Sequence, residues 1–434
     1  MTTGDRKGIL AKIKRFWIIL GPGLVTGAAD DDPSGIATYS QTGAQFGYGQ
    51  LWTALYMLPL MTAVQEACAR IGLVTGKGIT TIVREQYSRG ILYAVVGLIV
   101  IANTINIGAD LGAMAAAAQL LIPSPFILLT VLFTTVILLL QIFTNYKVYS
   151  NVLKWMAVSL LAYPITLFIV HQPWLTLLKA SIIPHFEFSF SFLFIITGVL
   201  GTTISPYMFF WQASQEVEEK KEREKNLLSI TKAAVSLGDI RRMRTDNAFG
   251  MAFSEFATWS IIVVAATVLH ESGVTDIKTA ADAAKAIEPL VHSFPNAGFL
   301  SKLIFSSGII GLGMLAVPVL SGSIAYSLSE AFHWKASLNL KFKSATGFYG
   351  IIIASSIVGL ILNFIGIDPV KALVYAAVLN GVAAVPLLFL IIRISSSQKI
   401  MGRFKSAWLS QSILWITFVA MAAAAIAMFF TISK

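Results

Sequence analysis

Runs of about twenty apolar residues, separated by short polar segments, recur from one end of the chain to the other. At ~1.5 Å per residue such a run crosses the ~30 Å hydrocarbon core of a bilayer as a helix. The pattern predicts eleven spans, at 17–46, 50–73, 92–121, 126–145, 152–171, 192–214, 248–270, 303–332, 346–366, 372–392 and 409–432. The expected fold class is therefore an all-α membrane protein, one transmembrane domain over 1–434. Two spans are interrupted near their middles. Span one carries Gly21, Pro22 and Gly23 and then Asp32-Pro33-Ser34-Gly35; span six carries Gly198, Gly201, Thr202, Thr203 and Ser205-Pro206. An odd spacing of five spans makes the two halves cross the bilayer in opposite senses. That is the pattern of a 5+5 inverted repeat, here 17–171 and 192–392, with 409–432 appended as an extra helix. In such folds broken helices 1 and 6 face each other at the midplane, and their freed carbonyls and helix ends form a binding site.

Only two connections are long. The segment 215–246 mixes Glu216, Glu218 and Glu219 with Lys220, Lys221, Arg223 and Lys225 and ends in Arg241, Arg242 and Arg244. It reads as a helical loop with i,i+4 charge pairs that enforces topology, against a regulatory or partner-binding role. Alanines and spaced charges at 279–290 predict a short helix lying over the outer face.

Composition supports lipid as the solvent: 56% of the 434 residues are hydrophobic and 12% charged, with mean hydropathy +0.75. No soluble core hides that much apolar surface. The net charge of +10 raises the question of nucleic acid. With the N-terminus inside, however, 26 of the 32 Lys and Arg fall at inner segments and 6 at outer ones. This positive-inside asymmetry reports insertion topology and contact with anionic lipid, and no nucleic acid is needed to explain it. Eleven crossings then place Lys434 outside a cell membrane. The start, Arg6 to Arg15 followed by an apolar 16–29, resembles a signal peptide, but the continuation from Ile36 fits one interrupted span better. Cys68 is the sole cysteine, so no internal disulfide or thiolate metal cluster is expected. His171, His185, His270, His292 and His333 fall in loops or at span ends, so neither an intramembrane zinc motif nor a Ser–His pair is formed and an enzyme is disfavoured. No cofactor and no obligate protein partner are expected.

Asp32 needs a reason. An acid at the centre of a membrane helix costs roughly 2.5–3.5 kcal/mol on insertion scales and normally faces a cavity, a partner or an ion. Beside Pro33, which lacks an N–H, and the flexible Gly35, it combines a carboxylate with inward carbonyls, the chemistry of a cation site; a helix cap or internal salt bridge is the alternative. Three adjacent acids cannot all face one ion, so among Asp30, Asp31 and Asp32 one caps a helix or attracts cations. Thr202, Thr203, Ser205 and Tyr207 supply hard hydroxyl ligands at the second break, although such residues also satisfy backbone groups in membrane helices. Asp110 is a candidate proton or ion relay or a bundle-internal partner. Glu255, about two turns from the inner end of span seven, is expected to line a vestibule or to snorkel. Asn380, next to Gly381, is a candidate neutral ligand. Glu66 and Arg70 predict an i,i+4 ion pair.

With Asp32-Pro33, the stretch Ala69-Arg70-Ile71-Gly72-Leu73-Val74-Thr75-Gly76-Lys77 and the second break in hand, the chain resembles the Nramp family of divalent metal transporters over essentially all eleven spans. The resemblance implies a leucine-transporter-type fold and metal coordination between spans one and six. It also exposes departures. Where the family's first-span motif has Asp and Asn as ligands, this chain has Asp32 and Gly35; where its sixth span has Ala, Met, Pro and His, this chain has Thr202, Ser205, Pro206 and Tyr207. Thioether, imidazole and one amide are gone. The family's ninth-span Arg is absent from 347–362, while Asp110 aligns with one of its third-span acids. Oxygen-only ligation favours a hard ion such as hydrated Mg²⁺, with Mn²⁺ also admitted, and the incomplete relay favours uptake without protons, as in a magnesium-transporting branch. A proton-coupled Mn²⁺/Fe²⁺ symporter and a metal-sensing membrane receptor are the competing functions.

Overall fold

The computed structural model describes residues 26–27, 30–144, 161–226 and 235–432. The principal helices are α1 (Pro33–Phe46), α2 (Trp52–Thr75), α3 (Arg89–Gln119), α4 (Phe126–Phe143), α5 (Phe190–Thr203), α6 (Pro206–Asn226), α7 (Leu237–Ala265), α8 (Ala297–Ala331), α9 (Thr346–Leu362), α10 (Pro369–Ser396) and α11 (Trp408–Ile432). Among the described residues there is no strand. Among the described residues, eight helices are long and apolar enough to cross a membrane, counting Phe190–Glu222 across its interruption; Thr346–Leu362 is apolar but has 17 residues. The expected spans at 17–46 and 152–171 lie partly outside the described residues, as do Gly21, Pro22, Gly23 and Lys434.

The two breaks are built alike. Each second half begins with a proline at its first helical position, Pro33 in α1 and Pro206 in α6, where the missing N–H costs nothing and φ is already set. Asp32 caps α1 in an extended conformation, φ −66° and ψ 173°. At the other break α5 ends on Ile204, φ −116° and ψ 63°, and the Ser205 hydroxyl donates to the Gly201 and Thr202 carbonyls at 2.8 and 2.6 Å. These are carbonyls that the end of α5 leaves without helical partners.

Helices approach closely where side chains are small, as expected where lipid supplies no hydrophobic drive between helices. α5 packs on α10 and α3 on α8. A Cβ built on Gly201 would stand 2.1 Å from the Ala377 carbonyl oxygen, and one on Gly72 2.2 Å from that of Ala213. Gly201→Ala is therefore expected to destabilise the fold by about 1–3 kcal/mol through overpacking, read as a lowered midpoint in a thermal unfolding series of the detergent-solubilised chain.

Beyond α1 the chain folds over the end of that helix. Gln41 donates to the Thr275 carbonyl at 3.2 Å and accepts from the Ile277 amide at 2.9 Å, and the His270 ring donates from Nδ1 to the Ala44 carbonyl at 2.8 Å. The helix expected at 279–290 forms in three consecutive pieces, Ala280–Ala284, Lys285–Ile287 and Glu288–Val291, with Ala283, Ala284, Ala286 and Ile287 buried. The charged segment expected as a separate helical loop is largely the extension of α6 to Asn226 and of α7 back to Leu237, while 227–234 lie outside the described residues. Its charges reach neighbours other than their own helix: Glu218 accepts from Ser337 at 2.8 Å and Asn339 at 3.0 Å, and Arg244 donates to Glu66 at 2.8 Å. Glu66 also takes the expected bond from Arg70, so one buried carboxylate joins α2 to the start of α7.

Candidate metal site between the broken helices

The cap and the candidate ligand are the same carboxylate. Asp32, 1% exposed, accepts at Oδ1 from the Gly35 amide at 2.8 Å and the Ser34 hydroxyl at 2.6 Å. This is what a helix N-terminus asks of its cap. Oδ2 points the other way and accepts from Asn106 Nδ2 of α3 at 3.0 Å and, at 3.4 Å, from the Tyr207 hydroxyl of α6. One oxygen holds the break in shape; the other faces polar groups from two further helices.

Gly35 serves by having no side chain. A Cβ there would lie 3.2 Å from the Tyr39 ring and 3.3 Å from Thr202 Oγ1, so a larger residue crowds the meeting of the two halves. Thr202 and Ser34 hydroxyls stand 3.3 Å apart across the junction. Thr203 shares a 2.9 Å hydrogen bond with the Tyr39 hydroxyl, which turns it away from Asp32. Tyr207 is anchored through its own carbonyl, which accepts from Ser323 of α8 at 3.0 Å. Asn380 contacts the centre at one remove, donating to Asn106 Oδ1 at 3.4 Å while its own Oδ1 is buried without a partner. Asp110, one helical turn beyond Asn106 on α3, is buried with neither oxygen hydrogen-bonded.

Glu255 departs from expectation. It does not snorkel: it is 4% exposed and lies beside Asp31, next to Ser254, whose hydroxyl donates to Asp30 at 2.9 Å. Sequence reasoning also passed over Asn106, which makes the shortest cross-helix bond to Asp32. Its spacing of four from Asp110 put both on one face of α3 and was the available signal.

Among the described residues, no three or more His, Cys, Asp or Glu side chains form a metal-holding group. The junction instead offers one carboxylate with hydroxyl and amide oxygens, a donor set without sulfur or imidazole. Hydrogen bonds tie the chain together on either side of it. The Thr26 hydroxyl donates to Gln212 of α6 on one side, and Gln41 holds residues 275–277 on the other.

The family description "Natural resistance-associated macrophage protein-like" (Nramp) matches residues 23–431, nearly the whole chain. The chain belongs to the Nramp family. Its membership makes it a membrane transporter rather than an enzyme. A divalent metal cation transporter, MntH, of Klebsiella pneumoniae is 28% identical over 410 residues, covering 92% of this chain and 90% of the relative. A manganese transporter of Eremococcus coleocola superposes with a TM-score of 0.73 at 15% identity, covering 96% of this chain and 87% of that one. A closed nucleobase-cation-symport-1 family transporter superposes at 0.55 and 15% identity, covering 95% and 92%. At these identities the two structures speak for the fold alone. The Nramp chain thus shares an architecture with transporters whose cargo differs widely, and what it carries must be argued from Asp32 and its neighbours.

Proposed function

We propose that this Nramp chain is a transporter of divalent metal cations, selective for hard ions that keep part of their water: Mg²⁺, with Mn²⁺ also accepted. The observation that carries the reading is Asp32 Oδ2, a buried carboxylate oxygen at a double helix break that meets only neutral groups, the Asn106 side-chain amide N–H and the Tyr207 hydroxyl. In the proposed site a cation meets Oδ2 where Tyr207 now makes its long bond. Tyr207, Thr202 and Ser205 then offer hydroxyl oxygen directly or through water, Asn106 and Asn380 offer amide oxygen, and Thr203 acts through Tyr39. Gly35 gives the room and the amide that orients Oδ1. Mg²⁺ dehydrates reluctantly and tolerates one protein carboxylate with waters, whereas a site for soft metals gains from sulfur or imidazole.

Transport follows if the two closures open in turn. Release of Thr26 from Gln212 exposes the site on one side, and release of Gln41 from 275–277 exposes it on the other. The proposed frame is eleven spans with a 5+5 inverted repeat, N-terminus cytoplasmic and C-terminus outside, so that the Thr26 side is the cytoplasmic one and inside-negative potential drives uptake. A proton-coupled Mn²⁺/Fe²⁺ symporter is favoured by one observation, the unbonded Asp110 carboxyl beside the site.

Flux of a panel of divalent ions into vesicles containing the full chain tests selectivity. Mg²⁺ and Mn²⁺ are expected to enter, and Cd²⁺ to be carried at least tenfold more slowly; Fe²⁺ or Cd²⁺ flux without Mg²⁺ flux would reject the proposal. Metal binding with no flux of any ion would identify a sensor.

A further inference from the structure

Resting on the reading of Asp32 as a cation ligand, we propose a second divalent-cation site, formed by Asp31 and Glu255 with Thr258 and bordered by Asp30, on the α7-start side of the break.

Before the break, Gly27 and Asp30 lie against α7. A Cβ on Gly27 would stand 2.4 Å from the Gly250 carbonyl oxygen, Asp30 accepts from Ser254, and a Cβ on Gly43 would stand 2.3 Å from the Ile262 carbonyl oxygen. Asp30, Asp31 and Glu255 therefore lie nearer the start of α7 than the body of α1 does. In the proposed topology this is the path between Asp32 and the cytoplasm. Oxygens converge there: Asp30 Oδ1 and both oxygens of Glu255 are buried and make no hydrogen bond, and both oxygens of Asp31 are buried with the Ser254 and Thr258 hydroxyls beside them. Thr258 is 1% exposed and its hydroxyl faces Asp31. Thr258 stands one turn beyond Ser254 on the same face of α7, so both hydroxyls are presented to the acids before the break, and that of Thr258 is a neutral donor oxygen at the cluster.

Charge gives the second argument. No Lys, Arg or His among the described residues forms an ion pair with Asp30, Asp31, Asp32, Asp110 or Glu255, whereas Glu66, Glu85, Glu187 and Asp282 each have such a partner. Buried carboxylates are ordinarily paired or coordinate metals. A divalent cation between Asp31 and Glu255 supplies the missing positive charge, with waters completing its shell because no third carboxylate or imidazole closes on it. Two ions in series also fit passage, since occupancy of adjacent sites weakens the hold on each and lets the ion leave.

The test is equilibrium binding of Mn²⁺ alone to the purified full chain. Saturation is expected at two Mn²⁺ per chain, falling to one in Glu255→Gln with the remaining site unchanged in affinity, to one in Asp32→Ala, and to none in the double variant. One Mn²⁺ in the wild type, or two in Glu255→Gln, overturns the second site. Two in Asp32→Ala overturns the Asp32 reading on which it rests, a distinct outcome. Thr258→Val keeps side-chain volume and guards against misfolding of the charge variant: the weaker of the two binding steps is expected to lose affinity several-fold while the other stays, and unchanged binding at both steps overturns the inference.

Discussion

Replacing Asp32 by Asn is expected to abolish divalent-ion flux while leaving the protein folded, and replacing it by Ala is expected to abolish flux and lower stability as well. The two variants separate the two oxygens. Asn retains a side-chain acceptor for the Gly35 amide and Ser34 hydroxyl that now bond Oδ1, and it is as good an N-cap as Asp. Ala removes that cap, at a cost of about 1 kcal/mol. Both remove the only charge that the first site presents to a cation. Breaking a buried charge pair by deleting one partner costs about 3–5 kcal/mol. At tenfold per 1.4 kcal/mol this weakens apparent affinity by roughly a hundred-fold to a few thousand-fold. Initial rates of Mg²⁺ entry into vesicles, with thermal midpoints alongside, check both halves. If Asp32 were only a cap, Asn would transport normally and Ala would merely be less stable; that result would remove the centre of the proposed function.

Much of this site was legible because membrane burial makes polar residues conspicuous. Asp32, Pro33 and Ser205-Pro206 stood out inside apolar runs, where each breaks a rule that the surrounding spans obey, and the structure places both breaks at those residues. The Glu66–Arg70 pair was legible because helical spacing alone puts i and i+4 side by side. What sequence spacing could not reveal was contact between helices far apart in the chain. Asn106 meets Asp32 across 74 positions, Arg244 meets Glu66 across 178, and Asp30 meets Ser254 across 224. The burial of Glu255 was hidden for the same reason: its depth along its own helix is a local property, whereas its place beside Asp31 is decided by which helix lies against it. The 17-residue helix Thr346–Leu362 shows the converse limit, an apolar run whose helix falls short of the length that its hydropathy suggested.

An inside-negative potential is expected to be sufficient for uptake, with no pH gradient required. Moving one charge through 100 mV is worth about 2.3 kcal/mol, so a divalent ion gains about 4.6 kcal/mol. That corresponds to a ceiling of roughly 2,000-fold accumulation. Vesicles clamped at that potential with equal pH on both sides are therefore expected to concentrate Mg²⁺ strongly, and collapsing the potential is expected to reduce entry to equilibration. Tyr207 donates to Asp32 from a hydroxyl where an imidazole would have offered a proton carrier at neutral pH. Nor does α9 contain an arginine. Asp110 is the one group that argues the other way, buried near the site with both oxygens unbonded. A dye reporting internal pH decides between them. Silence during Mg²⁺ entry is the expected result, since a carboxyl without an onward acceptor has nowhere to pass its proton. Metal-driven acidification that disappears in Asp110→Asn would instead make Asp110 the proton's carrier and the chain a symporter.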